Sequence, residues 1–295
     1  MTFAAAGREA RPAPVPAELY SEELLLAFTG GDYAEFLRTR GAGLRPRLVR
    51  SLALAGPRPV LRVLDLGCGR GETSFHAAAR GARVLAVDYS ADCLALTART
   101  LDLAPAAVRA RVELVRADAT ALPLPDRSVD RALMLDVVEH LHPWQLALAL
   151  REVRRVLRPD GWLVVHTVPN RWALAYGYPL LRLLRPSLPA DPRTAYERQV
   201  HVNEQDPVGL RRLLRACGFQ AQVWLENLTV EQAAWRAGFD DGRALGADDV
   251  RGGAYPLLRR PLARRLVRLA MRSPLCALAA NDIYAVARPA RSPEK

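Results

Sequence analysis

Lysine is almost absent from this 295-residue chain: of 42 basic side chains only Lys295 is lysine, and 41 are arginine. The formal charge of +11 would suit a phosphate backbone, since basic surfaces bind nucleic acid without sequence preference. A basic set made almost wholly of arginine follows more simply from a GC-rich coding sequence than from selection for phosphate contacts, so nucleic acid is not expected as a partner. Cysteine is scarce too. The four at positions 68, 93, 217 and 276 form no C-x-x-C pair, which excludes a disulfide framework and a zinc site of ordinary spacing. No apolar run approaches the ~18 residues that cross a bilayer, and the N-terminus carries no hydrophobic signal core, so a cytoplasmic location is expected. What the chain does have is length and a 50% hydrophobic content, enough for one large domain with a full core.

The richest stretch is Leu-Arg-Val-Leu-Asp-Leu-Gly-Cys-Gly-Arg-Gly-Glu at 61 to 72, where a buried-strand pattern runs into glycines at alternate positions. Gly67, Gly69 and Gly71 tolerate positive φ and let a ligand approach the backbone, as a nucleotide-type site requires. The flanks are acidic, Asp65 on one side and Glu72 at the start of the next helix. A helix N-terminus ordinarily attracts phosphate, whereas carboxylates there repel a pyrophosphate and favour a cation. The third glycine also comes one residue earlier than in the dinucleotide fingerprint. Both differences favour S-adenosylmethionine, with its sulfonium and ammonium charges, over NAD or FAD.

The stretch resembles motif I of the class I S-adenosylmethionine-dependent methyltransferases, and further segments follow in that family's order. Ala82-Arg-Val-Leu-Ala-Val-Asp88 ends in an acid 21 residues after Gly67, the separation at which a carboxylate reaches ribose hydroxyls. Val112-Glu-Leu-Val-Arg-Ala-Asp118 matches the segment whose acid lies at the adenine amino group. Then come Leu122 to Asp130, Met134-Leu-Asp136-Val-Val-Glu139-His140 and Leu157-Arg-Pro-Asp-Gly161-Trp-Leu-Val-Val, so the likeness covers residues 60 to 168. The resemblance implies that Asp65, Gly67, Cys68, Gly69 and Gly71 hold the methionine portion of the cofactor. Asp88 with Tyr89 would take the ribose, Asp118 with Ala119 the adenine, and Asp136 would close the cofactor site. Cys68 reads as a small packed residue and not a nucleophile. Trp162 stands where many relatives carry a second glycine.

Along the chain, residues 1 to 17 are rich in Ala, Pro and Arg without an apolar period and are expected to lack order. Helical patterns near 18–29 and 32–54 form a cap, 18 to 55, over the cofactor. A doubly wound, mostly parallel α/β sheet of the Rossmann-like methyltransferase type occupies 56 to 290. Its strands are expected near 60–66, 82–88, 111–117, 129–135, 161–168, 219–226 and 281–288. The resemblance implies that the last two strands form a hairpin with the final one antiparallel. Two insertions interrupt the core, at about 171–205 and 228–278. The first begins with an aromatic helix, Trp172, Tyr176 and Tyr178 included, expected as a substrate lid above the strand ends. The second holds Pro261 to Arg272, a basic amphipathic stretch with Arg264, Arg268 and Arg272 on one helical stripe, which reads first as a plain solvated face and otherwise suits an anionic membrane surface or a lipid-like substrate.

Methyl transfer is an in-line displacement that asks mainly for positioning and exclusion of water, and a base only for some acceptors. His140, after the fourth strand, and His201, after the lid, are the candidate bases, with Glu139 beside them. Absent residues narrow the acceptor. No cysteine follows a proline, against methylation of pyrimidine carbon-5. Asp136-Val-Val-Glu139 replaces the Asn/Asp-Pro-Pro-aromatic turn of amino-group methyltransferases, and catalytic lysines of the ribose type are lacking. Asp136 alone, with Pro169 before Asn170, gives too few oxygen ligands for a catechol-type metal site. The expectation is a metal-independent methyltransferase acting on a small or lipophilic acceptor. Another group transfer from the same cofactor, action on lipid chains, or a non-catalytic binding protein stay open, and no oligomeric state is implied.

Overall fold

The computed structural model describes residues 11–228 and 260–290. A seven-stranded sheet runs in the order β3-β2-β1-β4-β5-β7-β6. Its strands are β1 Arg62–Leu66, β2 Arg83–Asp88, β3 Val112–Arg116, β4 Val129–Leu135, β5 Leu157–Thr167, β6 Phe219–Glu226 and β7 Asp282–Pro289. The first five are parallel, and β7 pairs antiparallel with both β5 and β6. The expected strands and closing hairpin are all present. β5 begins four residues before its expected start, because Leu157 already pairs with Val129 across a register shift.

β4 is buried at all seven positions, as a central parallel strand covered on both faces must be. Two of those positions are charged and are matched locally. Asp130 accepts from the Arg62 amide and from Arg158, and Arg131 donates to the Ala55 carbonyl while stacking on Trp162. On one face lie α6 (Pro143–Val156) and α9 (Pro207–Ala216), whose Leu146, Leu150, Leu210 and Leu214 are fully buried. The other face carries α1 (Glu22–Arg38), α2 (Pro46–Ala55), α3 (Glu72–Ala79), α4 (Ala91–Leu101) and the short α5 (Ala106–Arg109).

The cap is divided differently from the sequence pattern. α1 passes without a break through the Gly30-Gly31 pair, and the chain turns instead at residues 39–45. Gly41 explains the turn: its φ is +92°, and a Cβ there would meet Phe75 at 2.8 Å. Pro46 then opens α2.

The order in which strands are added reverses between the parallel neighbours β1 and β4, which makes a switch point at their carboxyl ends, the place where ligands bind in open sheets of this kind. Three pieces crowd this end. Residues 11–16, within the stretch expected to lack order, follow an extended path fixed by hydrogen bonds from Trp144 Nε1 to the Pro12 carbonyl and from Tyr89 Oη to that of Val15. A 3-10 turn, Ala17–Tyr20, and helix α8 (Ala195–Val200) complete the group.

The expected lid does not lie here. Residues 171–186, with a π-type turn at Ala173–Gly177 and helix α7 (Tyr178–Leu184), lean toward the second insertion. Asn170 causes this by donating to the carbonyls of Ala277 and Ala280, and Gly177 sits so close to Leu278 that a Cβ would lie 2.1 Å from its carbonyl oxygen. The second insertion contributes α10 (Pro261–Ala270) and α11 (Cys276–Ala279). No helix among the described residues is long and apolar enough to cross a membrane.

Candidate active site

The glycine loop joins β1 to α3, and its three glycines serve three purposes. Gly67 (φ +74°) passes so near Val137 that a Cβ would lie 2.4 Å from Cγ2. Gly71 (φ +81°) packs α3 against α4, where a Cβ would come 2.7 Å from Thr97 Cγ2. Gly69 (φ +53°) alone has nothing within 4 Å along its missing Cβ. That opening faces a cavity of about 300 Å³ at the switch point, within the usual range for small-molecule sites. Of the thirteen residues expected in the site, twelve line this cavity: Asp65, Gly67, Cys68, Gly69, Asp88, Tyr89, Asp118, Ala119, Asp136, Glu139, His140 and His201. Gly71 does not; its task is packing.

Asp88 ties the loop together, since Oδ2 accepts from the Gly69 amide at 3.0 Å and Oδ1 from the Ser90 amide at 3.0 Å. Burial raises its pKa. Asp65 accepts from Ser74 Oγ at 2.6 Å and is pushed by burial to about 6. Cys68 is a buried thiol 3.5 Å from Thr97 Oγ1, and burial drives its pKa well above the ordinary value, so it is no nucleophile.

Glu72 differs from the sequence reading. Burial alone would neutralise it, but Arg70 at 2.9 Å and Arg45 at 3.5 Å outweigh burial and keep it ionised. Oε2 is thereby engaged within the protein, while the buried Oε1 has no hydrogen-bond partner and Glu72 lines the cavity. Arg45 and Arg47, at the start of α2, were not anticipated as site residues, yet both line the cavity. Each has a buried Nε with no hydrogen-bond partner. Burial brings Arg45 down to about 9. These cations can hold a carboxylate at the methionine end, while Asp88 and the opening at Gly69 suit an adenosyl group. The residues present therefore fit S-adenosylmethionine.

Beside Arg47, Asp136 sits in left-handed backbone (φ +57°) with its carboxylate fully engaged. Arg47 Nη2 lies 2.8 Å from Oδ2 and His166 Nδ1 2.5 Å from Oδ1, and His166 Nε2 in turn lies 3.0 Å from Asp282 Oδ1. Burial alone would raise Asp136, but Arg47 and His166 hold it far below the carboxylate range. Neither His166 nor Asp282 stood out in the sequence.

Glu139 is 1% exposed and receives Thr167 Oγ1 at 2.7 Å on Oε2, while Oε1 has no partner. Burial, and then the charge of Asp136, raise it to about 8. Its main-chain carbonyl accepts from the amides of Val202 and Asn203, which brings the end of the first insertion back to the site. His140 Nδ1 is 2.9 Å from Tyr20 Oη, and its ring meets that of His201 edge-on at 4.9 Å between centroids. Burial and His201 pull His140 down to about 3. Glu139, His140 and His201 each place one ligand atom within 4.8 Å of the others, a metal-ligating arrangement that residue spacing did not reveal.

The roof over these groups is apolar. Val15, Tyr196 and Val200 form a small buried cluster with Leu19 and Tyr20 around it, and Tyr196 Oη donates to the Leu19 carbonyl at 2.8 Å. Its one sequence signal is the capping box of α8, in which Thr194 and Glu197 exchange hydrogen bonds.

Comparison with known proteins bears on the fold and the family. A family model described as a methyltransferase domain matches residues 64–165. A probable S-adenosylmethionine-dependent methyltransferase of Mycobacterium tuberculosis is 41% identical over 125 residues, which is 41% of this chain and 40% of that protein's length. A demethylmenaquinone methyltransferase of Clavibacter sepedonicus is 36% identical over 192 residues, covering 60% of this chain and 72% of the relative. Among solved structures, Haemonchus contortus phosphoethanolamine N-methyltransferase 2 in complex with S-adenosyl-L-methionine shares the fold, with a TM-score of 0.58 at 17% identity over 84% of this chain and 53% of that one. Glycine loop, Asp88 and sheet order thus go together with family kinship, and the chain belongs to the class I S-adenosylmethionine-dependent methyltransferases.

Proposed function

We propose that this protein moves a methyl group from S-adenosylmethionine to a small lipophilic acceptor carrying a proton to be lost. The observation that carries the reading is the cavity itself: one end offers Gly69 and Asp88, the other a buried acid under an apolar roof. The relative named for demethylmenaquinone points to an acceptor of the same character.

The bound cofactor supplies an electrophilic methyl on a cationic sulfur. In this reading Asp88 takes the ribose hydroxyls, Asp118 stands at the adenine side, Asp65 and the loop amides border the methionine portion, and Arg45 with Arg47 takes its carboxylate. Glu139 is the base. Its pKa of about 8 lies near neutrality and its Oε1 has no other partner, whereas an imidazole at about 3 is a weak proton acceptor. His140 then acts as a latch that joins Tyr20 to the acceptor end, and His201 borders the acceptor. The roof excludes water from the developing transfer.

The reading is metal-independent. Asp136, three residues before Glu139, is taken up by Arg47 and His166, which leaves the two histidines and Glu139 without a second carboxylate. Incubation with methyl-labelled cofactor and fractionated extract tests the whole assignment. Label in a lipophilic metabolite fraction supports it, and label confined to RNA or protein would overturn it.

A further inference from the structure

The described part of the chain exposes fourteen large hydrophobic side chains, and eight of them sit in the two insertions. Leu180, Leu183 and Leu184 of α7 and Leu262, Leu266 and Leu269 of α10 are between 52% and 81% exposed. Single exposed leucines are ordinary, but a concentration of this kind on a soluble surface marks a contact.

The pattern within α10 says what kind. Leu262, Leu266 and Leu269 follow at i, i+4 and i+7 and form one stripe, and Arg265, Arg268 and Arg272 form the next stripe at i, i+3 and i+7. Ala263, Val267 and Met271 are half-buried and face the body. The outward surface of the helix is therefore leucine on one side and arginine on the other. Leu180, Leu183 and Leu184 are accompanied by Arg182 and Arg185. The two insertions touch where Gly177 meets Leu278, so both exposed stripes belong to adjoining pieces.

Charge separates the possible occupants. Residues 260–275 hold five arginines and no acidic residue. A second copy docking through this same face would set those charges against their own kind, which opposes an isologous dimer. An anionic bilayer answers both features at once, taking the leucines into the boundary between headgroups and acyl chains and the arginines onto its phosphates.

We propose that the exposed faces of α7 and α10 form a surface that seats the enzyme on anionic membranes. This holds whatever the acceptor is, and its test is separate from the test of methyl transfer. The full-length protein is sedimented with phosphatidylcholine vesicles, with and without phosphatidylglycerol. The expected result is at least about tenfold more binding when the anionic lipid is present, weakened by salt, since the arginines are drawn to the negative surface and salt screens that attraction. A Leu262→Ser/Leu266→Ser/Leu269→Ser variant should lose that binding and keep its cofactor affinity, which shows that it is folded. Arg265→Gln/Arg272→Gln is the milder companion and should weaken binding without touching the leucines. Equal binding to both vesicle types, or retention by both variants, would overturn the proposal. So would a leucine-dependent dimer with no vesicle binding, which would make the face a self-interface.

Discussion

Asp136 and His166 meet at 2.5 Å between Oδ1 and Nδ1, joining the ends of two neighbouring parallel strands through their side chains. Asp282 on β7 closes the far side of the same imidazole at 3.0 Å. Burial alone would depress His166, but the two carboxylates outweigh it and raise the ring to about 9. Because the folded value lies above the unfolded value of about 6.5, the protonated ring stabilises the fold fully below pH 6.5, and that contribution is lost as the pH rises through 9. The span corresponds to about 3 kcal/mol for this buried group. Thermal unfolding between pH 6 and 9.5 should show the decline, and His166→Gln should start lower and flatten it. A wild-type stability that rises over this interval would contradict the arrangement.

Glu139 gives a second pH dependence, of opposite sense. A base acts when deprotonated, so turnover of the acceptor should climb as the pH passes about 8. Glu139→Gln should lower kcat by a factor of about 100 or more, in the range usual for loss of a general base, and should abolish the climb while cofactor affinity stays. If the variant keeps both rate and profile, the proton leaves by another route. The companion His140→Ala should instead weaken the roof and raise KM for the acceptor.

The glycines at 69 and 71 can be told apart by substitution. A methyl at Gly69 points into open cavity, so Gly69→Ala should cost cofactor affinity by about tenfold and only about 1 kcal/mol of stability from its positive φ. At Gly71 the methyl meets Thr97, including its Cα at 2.9 Å, and the loss should fall mainly on stability, by 2 kcal/mol or roughly so. Calorimetric titration with cofactor and chemical denaturation of each variant make the comparison. Equal effects on both quantities in both variants would remove the distinction.

Treatment with a chelator should leave methyl transfer unchanged, since Asp136 is committed to Arg47 and His166. Loss of activity restored by a divalent cation would assign a metal to Glu139, His140 and His201 instead.

Much of the sheet was legible because its signal is local. Buried parallel strands read as apolar runs, and the loop after β1 needs glycine wherever φ is positive, so residues 60 to 72 announce themselves. Asp88 was equally plain, being the last residue of β2 beside the loop it holds. The rest of the site depends on partners far apart in the chain. Arg45 meets Glu72 across 27 residues, and His166 meets Asp282 across 116, and no spacing rule connects them. The lid was misplaced for a related reason. Aromatic residues at 172, 176 and 178 suggested a cover, but Gly177 and Asn170 turn that segment toward the second insertion, and the less conspicuous helix at 195–200 took the place above the cavity.

The roof has a practical consequence for handling the protein. Pro14 and Val15 line the cavity, and residues 11–16 are held by hydrogen bonds from Trp144 and Tyr89, so this extended piece is part of the cavity wall although it precedes the sheet in the chain. Shortening the chain through residue 16 would therefore take away part of the wall of the site and leave every strand of the sheet in place.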